Sequence, residues 1–346
     1  MFGFTRKARV GAFAAIAVTV ALVATGCAAT GTDSGSGEGS GDANLAITFL
    51  PKNLGNAYFD TSDKGGADAI KEFGGTYAEV GPATGSPDGQ VSYINTLTQQ
   101  GVGAIALSAN DPDALCDAIG EARDAGVKVV TFDADTNKDC RDIFINQAEA
   151  EGIAKVEVDL IAEQIGDAGK IAILSATANA TNQNAWIELM KADLAANHPN
   201  IELVDVVYGD DDDQTSFDKT AALLQTYPDL KGIISPTTVG IAAAARYLQT
   251  SEFKGKVALT GLGTPNQMRD FVNDGTVTAF ALWNPADLGY LAAYAAKALI
   301  EGTITGAEGD KFDAGKLGSY TVGKDGTVLL GDPFTFNKDN IADFNF

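Results

Sequence analysis

Asp133 and Asp135 stand two residues apart at the end of a β-branched run, Val127-Lys128-Val129-Val130-Thr131. Alternate residues of a strand share a face, so two such carboxylates could serve as the acid/base pair of a glycoside-cleaving enzyme. They could equally accept hydrogen bonds from neighbouring hydroxyls of a bound polyol. Other short polar groups close apolar runs in the same way. Lys52, Asn53 and Asn56 precede Tyr58 and Phe59; Asn110 opens Asn110-Asp111-Pro112; Asn146-Gln147 ends another run. Asn182 and Gln183 come one turn before Trp186, Pro236 leads Thr237 and Thr238, and Asn284 and Asp287 follow Trp283. Amides and acids supply the paired donors and acceptors that vicinal hydroxyls need, and aromatic rings cover the apolar C–H face of a sugar. Little in this set would stabilise a strongly charged ligand.

For these groups to meet, the chain must bring the carboxyl ends of several strands together. It does so by alternation. Short β-branched or apolar runs near 46–50, 77–80, 104–107, 127–131 and 143–145 are separated by stretches with helical spacing, such as Val91, Ile94 and Leu97. After residue 150 the alternation starts again, with strand-like runs near 170–174, 202–207, 232–235, 256–259 and 277–283. Strands alternating with helices give a parallel sheet with helices on both faces, and a second series gives a second lobe. In such sheets the ligand sits at the carboxyl ends of the strands. The tail, with apolar runs at 319–322, 327–330 and 334–346, reads as a small hairpin and a final stretch laid across the body.

Several activities are set aside by what the chain contains. There is no GxGxxG after a strand, no GxxxxGK[ST], no GxSxG and no HExxH, and the sole histidine, His198, lies in a His-Pro-Asn turn. No cofactor and no metal is expected. The acidic run 210–213 lacks the spacing of a calcium loop and reads as a solvated turn. A formal charge of −22 opposes binding to a phosphate backbone. With 45% hydrophobic and 20% charged residues, a packed core is within reach.

The first residues read as a targeting segment. Arg6, Lys7 and Arg9 precede an apolar run from Val10 to Ala24, and Thr25-Gly26-Cys27 follows. The expectation is a lipoprotein signal peptide over 1–26, lipid attachment at Cys27, and a Gly/Ser-rich flexible tether over 27–44 that leaves the body on the extracytoplasmic face of the membrane. Cys116 and Cys140 remain. An even pair in an exported chain points to a disulfide; Cys116 lies early in a helix-like segment and Cys140 just beyond the strand that follows it, so the two could meet and pin the loop carrying Asp133 and Asp135, with two buried thiols as the alternative.

The stretches TFDADTNKDCRDIFINQ, SATANATNQNAW, YPDLKGIISPTTVG, GLGTPNQMRDFVNDGTV and ALWNPADLG occur in that order, and with them the chain resembles the periplasmic-binding-protein family of sugar receptors. Within it the ribose/galactose-type cluster is nearest, in particular the rhamnose-type and autoinducer-2 receptors. The resemblance implies a type I fold: two Rossmann-like lobes joined by a hinge and closing over the ligand. It assigns 45–146 plus 284–305 to the N-terminal lobe and 147–283 plus 306–346 to the C-terminal lobe, with three crossings, after Asn146, near Trp283-Asn284 and around Gly302–Gly309. It also implies no catalysis, a monomeric receptor, and delivery of a small neutral monosaccharide to an ABC permease and its ATPase. Ligand contacts carried over from the autoinducer-2 pattern fall on Lys52, Asp133, Asn182, Gln183, Pro236 and Thr238. An acid of that pattern is an amide at Asn182, and an alanine is Thr238, which favours the rhamnose-type branch. An autoinducer-2 receptor, or a receptor presenting its ligand to a sensor, is the other reading. Both branches carry the paired cysteines.

Overall fold

A computed structural model of the chain describes residues 43–346; the expected signal peptide, Cys27 and nearly all of the tether lie outside the described residues. The body begins with β1 (Ala46–Leu50), α1 (Ala57–Glu72), β2 (Thr76–Glu79) and α2 (Pro87–Gln100). It continues through β3 (Ala104–Leu107), α3 (Cys116–Asp124), β4 (Lys128–Phe132) and β5 (Ile143–Asn146). These strands form a parallel sheet in the order β2-β1-β3-β4-β5. The second series is α4 (Ala150–Ile165), β6 (Gly169–Ser175), α5 (Thr181–Asn197), β7 (Ile201–Tyr208) and α6 (Asp213–Thr226). It ends with β8 (Leu230–Ser235), α7 (Thr238–Thr250), β9 (Ala258–Gly261) and α8 (Pro265–Asn273). Its sheet is also parallel, in the order β7-β6-β8-β9.

Local signals set many of the boundaries. The Ser86 side chain accepts from the Gly89 amide at the start of α2, Pro87 takes the first helical position, and Gly101 ends the helix in the left-handed region. On β3, Ile105 and Leu107 belong to the smaller core beneath α2 and α3, whereas Ala104 and Ala106 face the larger core that includes α9 (Pro285–Ile300). Side chains alternate across the strand, and the small residues stand on the side where α9 lies close. The packing of α1 on α9 is closer still. A methyl on Gly65 would fall 1.9 Å from the Ala286 carbonyl oxygen, and one on Gly289 would fall 1.7 Å from that of Ser62. Only glycine permits that approach.

The remaining strands are β10 (Ala279–Leu282), β11 (Lys311–Asp313), β12 (Ser319–Thr321), β13 (Thr327–Leu329) and β14 (Phe334–Asn337). β10 and β14 pair antiparallel, and a bridge from Leu262 to Ala281 sets β10 beside the end of β9. β11 and β12 form a hairpin, but not the expected one: the run at 319–321 pairs back with 311–313, where no strand is expected, and not with the run at 327–330. β13 corrects the expected division of the tail: it pairs parallel with β5, Val328 opposite Ile145, and so completes the first sheet. Residues 306–329 therefore accompany the first lobe, and the third crossing runs through 330–333 rather than Gly302–Gly309. The reason is that β5 would otherwise be an open edge, and a buried Val328 closes it.

Cys116 and Cys140 are joined, with Cα atoms 5.2 Å apart, tying the start of α3 to the loop that follows β4. Arg123 reinforces the tie by donating to the Asp139 and Cys140 carbonyls and pairing with Asp142 at 3.1 Å. The bridge spans 24 positions, and a loop of that size restricts the unfolded chain by about 3 kcal/mol. Cys140→Ser is expected to lower the unfolding temperature by several degrees, read by thermal denaturation against the oxidised chain; an unchanged midpoint would show that the bridge adds no stability.

Candidate functional site

The carboxyl ends of both parallel sheets converge on one cavity, with about 370 Å³ of free space counting its mouth. From the first sheet come Lys52 after β1, Asp133 after β4, and Asn56, Tyr58 and Phe59 at the start of α1. From the second come Asn182, Gln183 and Trp186 on α5, Asp211 after β7, and Pro236, Thr237 and Thr238 after β8. Leu262, Leu282 and Trp283 complete the lining.

Asp133 is 5% exposed and holds a left-handed conformation at φ 62. Its Oδ2 accepts from Ser108 Oγ at 2.8 Å and lies 3.6 Å from Lys52 Nζ. Lys52 is placed through its backbone: its carbonyl accepts from Asn110 Nδ2 at 2.9 Å, and the Asn110 amide donates to Gln90 Oε1. Across the cavity, Gln183 Oε1 accepts from Ser175 Oγ and from the Ala176 amide, both at 2.8 Å. That arrangement fixes the amide and leaves its Nε2 for the cavity. Asp211, also left-handed at φ 49, accepts from Thr237 Oγ1. Burial raises the Asp211 carboxyl above the usual carboxylate range, and the Lys52 charge offsets part of this. The charged lining is thus one ammonium against two carboxyl groups, a balance that disfavours anionic ligands.

One wall is aromatic. Tyr58 meets Phe59 edge to face at 5.1 Å, and Trp283 meets both Tyr58 and Trp186 at 6.1 Å. Trp283 Nε1 donates to Tyr58 Oη at 2.9 Å, locking both rings. Burial, with the Asp133 charge second, pushes the Tyr58 hydroxyl well above the ordinary tyrosine value, so it stays protonated. Trp186 and Trp283 are each 4% exposed, so they belong to the core and to the wall together.

Direct polar contacts join the two lobes at the cavity rim. Lys52 Nζ donates to Asn182 Oδ1 at 3.2 Å, Asn182 Nδ2 to the Asp133 carbonyl at 3.4 Å, and Asn179 Nδ2 to Asp111 Oδ2 at 3.3 Å. The arrangement is a closed form. Asn182 lies within the first turn of α5 and contacts the other lobe rather than capping its own helix.

Five residues expected in the cleft stand elsewhere. Asp135 lies beyond the reversal at Asp133, and its carboxylate is taken by Arg141 at 2.8 Å and by Thr131 Oγ1. The two acids therefore share no face, and the paired acid/base reading fails. Asn110 is a positioning residue behind Lys52. Asn53 is buried outside the lining. Asn284 caps α9 by accepting from the Ala286 amide and donates to Asp287, which pairs with Lys316 at 3.1 Å; both line a different cleft, together with Gln147. Asp211, Leu262 and Leu282 were not anticipated. Asp211 belongs to the acidic run read as a solvated turn, yet it comes three residues after the end of β7, and that place at a strand's carboxyl end is the available signal. Among the described residues, the one cluster of metal-type side chains is Asp159, Asp193 and His198, away from the cavity, with Lys155 already paired to Asp159 at 2.8 Å.

A profile described as "periplasmic binding protein domain" matches residues 47–304. A sugar ABC transporter protein from Actinomyces odontolyticus is 55% identical, over 88% of this chain and 99% of that one, with a TM-score of 0.71. An ABC transporter solute-binding protein from Clostridium phytofermentas, solved with bound L-rhamnose, is 40% identical over 86% of this chain and 97% of that one, TM-score 0.83. LsrB from Clostridium saccharobutylicum, in complex with AI-2, is 28% identical over 87% and 99%, TM-score 0.82.

Proposed function

Because this chain belongs to the periplasmic binding protein domain family, a family of binding proteins rather than enzymes, we propose that it is the sugar-binding component of an ABC importer. It takes a neutral monosaccharide, L-rhamnose first, between its two lobes and presents it to the permease. The observation that carries this is the composition of the cavity. Fixed amide and carboxyl groups face a locked aromatic wall, and the closed lobes bury whatever lies between. Asp133 from the first lobe and Asp211 and Gln183 from the second supply partners for hydroxyls on two sides, and Lys52 donates from beside Asp133. Leu262, Leu282 and Pro236 add apolar surface of the kind that the methyl group of a 6-deoxy sugar requires. The 40% identical receptor with bound L-rhamnose supports the same choice.

The binding cycle needs no chemistry. An open form admits the sugar, the sugar's contacts with both lobes favour the closed form, and the permease recognises that form. The segments that cross between lobes, 147–149, 283–284 and 330–333, act as the hinge. In this reading Cys27 carries the lipid that holds the monomeric receptor at the outer face of the membrane. No helix among the described residues is long and apolar enough to cross one.

Calorimetric titration with L-rhamnose, autoinducer-2, and a panel of pentoses and hexoses tests the assignment. The expected result is a Kd for L-rhamnose on the order of 1 μM or tighter. A signal with autoinducer-2 and silence with L-rhamnose would overturn the choice of branch. Silence across the whole panel would overturn the sugar reading itself.

A further inference from the structure

Behind the cavity, α2 carries a glutamine whose side chain is engaged entirely by the backbone. Gln90 is 0% exposed and does not line the cavity. Its Nε2 donates to the Pro51 carbonyl at 3.1 Å and to the Ser108 carbonyl at 2.7 Å, and its Oε1 accepts from the Asn110 amide at 2.9 Å. Those three groups lie just past the ends of β1 and β3, where the ladder between the two strands stops. Leu50 pairs with Leu107, the Ser108 amide still donates to the Leu50 carbonyl, and Pro51 has no N–H with which to continue. The strands part there, and the Gln90 amide fills the fork. Both of its donors and its acceptor are matched to buried backbone groups that the ladder no longer serves.

Each branch of the fork leads to one charged group of the cavity. The Pro51 carbonyl shares a rigid peptide plane with the Lys52 nitrogen, and the Lys52 carbonyl, in the next plane, accepts from Asn110 Nδ2 at 2.9 Å. Lys52 is thus oriented from both sides, once by Gln90 directly and once through Asn110. On the other branch Gln90 holds the Ser108 carbonyl, and Ser108 Oγ donates to Asp133 Oδ2 at 2.8 Å. That same Oδ2 lies 3.6 Å from Lys52 Nζ. We infer that Gln90 is a positioning residue of the sugar site: without touching the ligand, it sets Lys52 and Asp133 relative to each other by fixing the ends of β1 and β3. The ligand in this inference rests on the sugar reading above; the placement of the two strand ends does not.

Gln90→Met removes all three bonds while keeping the length of the side chain. Calorimetric titration of the full chain is expected to show L-rhamnose affinity about ten-fold lower, the scale of coupling within one hydrogen-bond network. A double-mutant cycle separates positioning from a purely structural role. Where the Lys52 ammonium is already gone, in Lys52→Met, adding Gln90→Met is expected to cost about three-fold or less. A second readout needs no ligand. Amide hydrogen exchange is expected to quicken about ten-fold or more in the segments 51–56 and 108–111 and to stay as it is in the second lobe. Undiminished affinity in a folded Gln90→Met chain, or the full ten-fold loss repeated in Lys52→Met, would overturn the inference. So would exchange that is unchanged in those two segments, or that quickens equally throughout the chain. Gln90→Asn keeps an amide but is one methylene too short to span the fork, and it carries the same measurements if the methionine chain does not fold. A wild-type chain that binds no sugar of the panel would defeat the sugar reading alone, and hydrogen exchange would still decide whether Gln90 places the two strand ends.

Discussion

Asp133→Asn is expected to reduce sugar affinity about 100-fold or more in a chain that still folds. The side chain is buried, faces the cavity, and is oriented by Ser108 Oγ at 2.8 Å. A hydrogen bond to a charged acceptor contributes about 1.5–3 kcal/mol, and 1.4 kcal/mol is a factor of ten in affinity. A carboxylate that receives two sugar hydroxyls therefore accounts for about two orders of magnitude. The variant also leaves the Lys52 ammonium, 3.6 Å away, without its anionic partner. Asparagine is the sharper substitution because residue 133 is left-handed, a conformation that Asn and Asp tolerate. Asp133→Ala is expected to lose as much affinity and, in addition, about 1 kcal/mol of stability from the backbone. Calorimetry for the sugar and thermal unfolding for the fold separate the two effects. Affinity retained in a folded Asp133→Asn chain would remove this residue from the ligand contacts.

The lobes, their parallel sheets and most of the cavity were legible in the sequence because each rests on a local signal. Period-two and helical patterns alternate, and polar residues close the strands. Lys52, Asp133, Asn182 and Gln183 follow from that rule together with the family resemblance, and the structure brings all four to one cavity. The failures are long-range or conformational. Asp135 was placed by strand periodicity, but the left-handed residue at 133 reverses the chain and delivers Asp135 to Arg141. Asp211 was hidden in a run of four acids, where composition spoke for solvent and only the end of β7 spoke for the site. β13 offers three residues, too few for periodicity to say which sheet they join. Asn284 and Asp287 follow a strand as a ligand contact should, yet that strand is the last before the chain changes lobe, so they open onto the hinge.

Glu157→Leu is expected to stabilise the protein, and by more at pH 7 than at pH 4. Glu157 lies on the inward face of α4, fully buried, and neither carboxyl oxygen has a partner among the described residues. Burial alone pushes its pKa well above the ordinary glutamate value, so the folded chain keeps a proton that the unfolded chain releases. The folded state binds more protons, and stability must fall as pH rises past the unfolded value near 4.3, by about 1.4 kcal/mol per unit until the folded pKa is reached. At pH 4 both states are largely protonated, and the leucine variant gains only from removing unpaired buried groups, about 1–3 kcal/mol. Asp63 on α1 is a second acid raised mainly by burial, but it is common to both chains and cancels in the comparison. Glu157→Gln isolates the titration: its stability curve should lose the same slope while keeping a buried polar group. Denaturant unfolding at pH 4, 5.5 and 7 reads all three chains. Parallel curves for the wild type and the leucine variant would mean that Glu157 is ionised in the folded protein. Sugar affinity should not follow either variant, because Glu157 does not line the cavity. The residue thus acts on how much of the receptor is folded at a given pH, and not on what it binds.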